Sequence, residues 1–99
     1  MTPDAQTLEQ LLKQHEGLGH LQVRERGKTV TIVTAMGSED CPHARFTALG
    51  AGAWGLSLPR HTGRWERTPI TGSLQEVTAT LIRDFGFYLA DPRQSFTAS

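Results

Sequence analysis

A single cysteine, Cys41, leaves no partner for an internal disulfide, which fits a reducing compartment. Apolar runs such as Phe85 to Ala90, with its glycine and tyrosine, fall far short of the roughly 20 residues that cross a bilayer, so no transmembrane helix and no membrane association are expected. The chain begins Met-Thr-Pro-Asp, without the basic start and apolar centre of a secretory signal, and a cytoplasmic location is expected. Net charge is absent as well. Ten basic residues balance ten acidic ones, so no global field draws the protein toward nucleic acid or anionic lipid. Glycine-rich phosphate loops, paired metal ligands and serine-histidine-aspartate arrangements are missing in recognisable form, and no cofactor is expected.

What is present suits one hydrophobic core. With 99 residues, 37% of them hydrophobic, the chain buries enough surface for one domain and not for two. The expected organisation is a single globular domain over residues 1–90 and a flexible tail over residues 91–99, where Asp91-Pro92 breaks regular structure.

The pattern begins helical. Leu8, Leu11, Leu12 and His15 recur at the spacing of one helical face, Thr7 to Gln10 has the form of a capping box, and Thr2 followed by Pro3 offers an earlier start, so a helix is predicted over residues 4–16. From His20 the period changes to two. Leu21 and Val23 alternate with Gln22 and Arg24, and Arg26-Gly27-Lys28 makes a tight turn into the β-branched run Thr29 to Thr34. Residues 37–42 are rich in turn formers and read as a loop. Further strands are predicted over residues 43–49, 54–58 and 64–68, the last with Trp65 facing inward. Ser73 to Glu76 forms a second capping box, and Val77, Leu81 and Phe85 continue at helical spacing until Gly86 ends the helix or Phe87 to Leu89 extends it by a turn.

The order is α-β-β-β-β-β-α, an α+β fold. Short turns force antiparallel neighbours, because a parallel pair needs a crossover of a dozen or more residues. The strands therefore form an antiparallel β-meander, with the N- and C-terminal helices packed on one face of the sheet. Gln22, Arg24, Arg26, Thr29, Thr31, Arg45, Thr47, Ser57 and Glu66 are expected on the other, polar face.

Three segments carry candidate chemistry. Asp40-Cys41-Pro42-His43 gathers a thiol, an imidazole and a carboxylate, but four zinc ligands would need His15, His20 or His61 as well, so it reads as a loop cysteine beside a strand-initiating histidine. Arg60, His61 and Arg64 crowd a hairpin tip where arginine suits bidentate contact with phosphate or carboxylate. Arg24 and Arg45, with Arg26 and Lys28, are placed to extend this ligand-binding set across the polar face. Residues 21–67 hold seven basic residues against four acidic ones, a local excess of three. Phe46, Trp54 and Trp65 are all assigned inward, which leaves that face without a stacking aromatic. Glu25 falls in the inward phase at a strand end, and His15 is expected partly buried. Phe87, Tyr88 and Leu89 exceed what a small sheet covers and form the candidate partner interface.

The function that follows most directly is a small non-enzymatic binding or accessory module acting through protein contacts, with a homodimer as one form. The alternative is weak nucleic-acid or phosphate binding through Arg24, Arg45, Arg60, His61 and Arg64. A hydrolase built on His61 ranks third.

Overall fold

The computed structural model describes residues 3–15, 17–60 and 62–90. In it α1 (Pro3–Lys13) precedes β1 (Gln22–Arg26), β2 (Thr29–Met36), β3 (Glu39–Gly50), β4 (Ala53–Pro59) and β5 (Trp65–Gly72). α2 (Leu74–Phe85) and a 3-10 turn over Gly86–Leu89 follow. The strands pair in chain order, every neighbour antiparallel, so the sheet is the expected meander with β3 at its centre.

Directly paired residues in antiparallel strands share a face. Val30, Phe46 and Leu56 are successive partners across β2, β3 and β4, and all three are buried. Val23, Ile32 and Ala44 form a second such row. Against these rows α1 packs Ala5, Leu8 and Leu12, and α2 packs Leu74, Val77 and Leu81, in one contiguous core. Both helices thus cover the same side, because each has a single apolar stripe and the sheet offers a single apolar face. Complete burial of a leucine or phenylalanine stabilises by about 1.5–3 kcal/mol, so this cluster supplies most of the driving force.

α1 stops at Lys13, and His15 is exposed beyond its end instead of lying in the core. The residue-37–42 loop shrinks to the turn Gly37-Ser38, because β3 starts at Glu39 and pairs with β2 through Cys41 and Pro42. Pro42 is tolerated there because pairing with β4 begins only at Arg45, so this half of β3 is bonded on one side. β5 continues to Gly72, four residues past the predicted end.

The sheet carries irregularities that two-residue alternation does not foresee. Between Ile32 and Val33 the register shifts, and His43 is the extra residue on β3. His43 and Ala44 are consequently both buried although adjacent. Leu49 is a second extra residue, between Ala48 and Gly50. A third shift falls where Gly55 pairs with Thr71 but Ser57 pairs with Arg67. There the Thr68 hydroxyl donates to the Leu56 carbonyl at 2.9 Å and accepts from the Ile70 N–H at 3.2 Å, which accommodates Pro69 within an edge strand.

The capping box at α2 forms as read. The Glu76 N–H donates to Ser73 Oγ at 3.1 Å, and the Ser73 N–H donates to Glu76 Oε1 at 2.9 Å. Gly72, at φ +153°, is required beside it, since a Cβ there would lie 2.8 Å from Glu76 Oε1. Gly86 does not turn left-handed. It stays in the right-handed region at φ −57°, and the helix tightens into the 3-10 turn.

Candidate functional site

The face of the sheet away from the helices is built by register. Arg24, Thr31, Arg45, Ser57 and Arg67 are successive partners across all five strands, so their side chains leave the same face in one line. A parallel line holds Arg26, Thr29, Thr47, Gly55 and Thr71. Val33, although buried, also points outward, because it pairs with Gln22 and Pro42 and lies outside the core cluster. Glu66 does not belong to this face. It pairs with Leu58, which is core, and so shares the inward phase at the end of β5.

Trp65 is the largest correction to the sequence-based expectation. It pairs with Pro59 and therefore leaves the outer face, half-buried, where the Arg45 guanidinium carbon sits 4.3 Å from its ring centroid. That is a cation–π contact. Ser57, between Arg45 and Arg67 in the line, is only 9% exposed. Arg45 Nε is buried without a hydrogen-bond partner among the described residues. Arg67 reaches back over β4, its Nη2 3.4 Å from where a Cβ on Gly55 would stand.

The outer face is electropositive, with Arg24, Arg26, Arg45 and Arg67 against Asp40. The Arg24 guanidinium donates to both Asp40 oxygens, Nε at 3.1 Å and Nη2 at 3.4 Å. This pair is exposed and contributes little to stability. Among the described residues Arg45 and Arg67 make no salt bridge with a carboxylate.

Arg60 and Arg64 stand at the β4–β5 turn, clear of the five-residue line. The Arg60 N–H donates to the Arg64 carbonyl at 2.8 Å, Gly63 adopts φ +86°, and Arg60 Nη1 lies 3.3 Å from Glu66 Oε2. Arg64 is exposed. His61 lies outside the described residues. Of the predicted ligand-binding set, the fold therefore brings Arg24 and Arg45 onto one line and leaves Arg60 and Arg64 at its hairpin end. Arg67 and Trp65 are the members that sequence reading missed. The missing signal was Ile70, which fixes the inward phase of β5 at even-numbered residues and sends Trp65 and Arg67 outward.

Cys41 and His43 do not assemble a nucleophile–base pair. The Tyr88 carbonyl only accepts, so His43 Nδ1 carries the proton and donates to it at 2.7 Å, and Nε2 accepts from the Thr34 hydroxyl at 2.7 Å. By the same reasoning His20 Nε2 donates to the Leu89 carbonyl at 2.7 Å, and the two imidazoles meet edge to face at 5.9 Å. Two histidines thus hold the carbonyls of the 3-10 turn. Among the described residues no group of three or more His, Cys, Asp or Glu is placed to hold a metal ion. A cleft of about 370 Å³ opens between α1, the β3–β4 turn and the start of α2. Asp4 lines it and the Ser73 cap is satisfied internally, so the cleft does not favour an anion.

At the candidate partner interface the three residues separate. Phe87 is 72% exposed, with its ring 4.7 Å from that of Tyr88, whereas Leu89 is fully buried in the core and offers no surface. No helix among the described residues is long and apolar enough to cross a membrane.

No protein-family model matches the chain, and no curated protein or solved structure matches it. Geometry and chemistry alone therefore carry the functional argument.

Proposed function

We propose that the outer sheet face binds nucleic acid through its phosphates. The observation that carries this reading is the cross-strand line Arg24–Arg45–Arg67, which has a tryptophan beside it and, among the described residues, no ion pair on two of its three arginines. Arginine forks suit phosphate, and a sheet presents them at fixed spacing. Self-association through the same face is disfavoured, because it would bring these arginines against their own copies.

Binding is expected to be salt-dependent. Three phosphate contacts imply a loss of affinity of about 20- to 40-fold between 50 and 200 mM salt. Fluorescence anisotropy with a labelled oligonucleotide across that range checks it. Arg45→Ala and Arg67→Ala should each flatten the log–log slope by about 0.7–0.9. A lack of binding at about 50 mM salt, or an affinity indifferent to salt, would overturn the proposal.

A second reading rests on Phe87, whose exposed ring beside Tyr88 suits a protein contact or a homodimer. Light scattering after size exclusion should then show a mass above the monomer at high concentration, reverting in Phe87→Glu. A monomer at every concentration excludes the homodimer.

A further inference from the structure

The outer face carries one feature that phosphate recognition does not use. We propose that Trp65, backed by Arg45, is a stacking platform for an unpaired base, so that the face takes single-stranded nucleic acid in preference to duplex. The inference rests on the nucleic-acid reading and adds the state of the strand to it.

Trp65 is half-buried, so part of the indole remains in water, and one ring face already holds the Arg45 guanidinium. Among the described residues the buried Arg45 Nε has no hydrogen-bond partner, which is uncommon for a buried donor, and the Trp65 ring is the neighbour its guanidinium meets. A guanidinium stacked on an indole gives a rigid, flat, cationic surface, and such surfaces accept a nucleobase of any sequence through its π-face. Bases in a duplex are stacked on one another and have no face to offer. A five-stranded sheet face is also broader than the two-stranded ribbon or single helix that the major groove admits.

Dimensions agree. With neighbouring strands about 4.8 Å apart, the line from β1 to β5 spans about 19 Å, which covers about five or six nucleotides at a stacked rise of about 3.4 Å. Arg24 and Arg67 stand at its two ends and Arg45 at its middle. A strand laid along the line meets an arginine on every second β-strand, and the base over Trp65 is held at the β5 end. The threonines of the adjacent line, Thr29, Thr47 and Thr71, add hydroxyls without adding charge.

The test compares a labelled 12-nucleotide poly-dT strand with a 12-base-pair duplex at about 50 mM salt, by anisotropy and tryptophan emission. The single strand is expected to bind more tightly and to quench the emission component that is absent from Trp65→Leu. That variant should weaken single-strand binding by about 5- to 150-fold and leave its salt slope unchanged, the signature of lost stacking with phosphate contacts retained. Trp65→Phe, which keeps a ring, should retain most of the affinity. Thermal unfolding of both variants separates loss of stacking from loss of fold, and if Trp65→Leu is unfolded the quench and the Trp65→Phe affinity decide. Equal affinity for strand and duplex with unchanged emission sinks the stacking inference and leaves phosphate binding standing. No binding to either oligonucleotide sinks both.

Discussion

Replacing Phe46 by alanine is expected to remove about 3–5 kcal/mol of folding free energy, at the upper end for a single truncation in the described core. Phe46 is fully buried, sits on the central strand, and pairs with Val30 on one side and Leu56 on the other. Truncation removes transferred apolar surface and also leaves a cavity that two bonded strands prevent from collapsing. A domain of this length has about 5–15 kcal/mol in total, so the variant should lose about a fifth or more of its stability. Urea denaturation followed by circular dichroism measures the effect. Thr47→Ala, one residue along the same strand but on the outer face, should change stability by no more than about 0.5 kcal/mol. Similar midpoints for the two variants would mean that β3 does not present the faces described.

That contrast tests the alternation from which the architecture is read. The sequence places the helices, the strand order and the core side chains because each follows from a local rule: a capping box, a change of period, a tight turn. Where local rules compete the reading departs from the molecule. Residues 37–42 look like a loop because they are polar and rich in turn formers, yet β3 runs through them from Glu39, bonded on one side only, where Pro42 is tolerated. His43 looks like a strand start, and it is the bulged residue that lets two consecutive side chains face inward. Leu89 looks like surplus apolar surface, and it is core because the chain tightens after Gly86 and folds it under.

Trp65 is the instructive case for function. A tryptophan in a strand invites an inward assignment, since burial of a large ring is the common outcome. The register through the β4–β5 turn overrides that preference by pairing Trp65 with Pro59. One residue's phase then changes the reading of a whole face: arginines that lack an aromatic partner are a solvated surface, and arginines beside a stacked indole resemble a binding surface. Arg24 and Arg45 were legible as candidates from charge alone. Their alignment with Arg67 depends on pairing across five strands, which no local pattern encodes.

The second large effect is expected at His43, and a double-mutant cycle with Thr34 isolates it. His43 is 4% exposed and Thr34 is fully buried, so His43→Leu strands the Thr34 hydroxyl and the Tyr88 carbonyl. At about 1–3 kcal/mol for each stranded group, the loss is about 2–6 kcal/mol. Thr34→Val alone removes the hydroxyl that bonds His43 Nε2 and should cost about 1–3 kcal/mol. The double variant removes both ends of the bond, so it should be more stable than the sum of the singles by about 1–3 kcal/mol. Hydrogen exchange gives the loss a location. The Tyr88 and Leu89 carbonyls are held by His43 and His20, so amides of the 3-10 turn should exchange faster in His43→Leu before those of β3 and β4 do. Additivity of the two substitutions within about 0.5 kcal/mol, or uniform acceleration across the sheet, would show that the histidines do not fasten the C-terminal turn to the core.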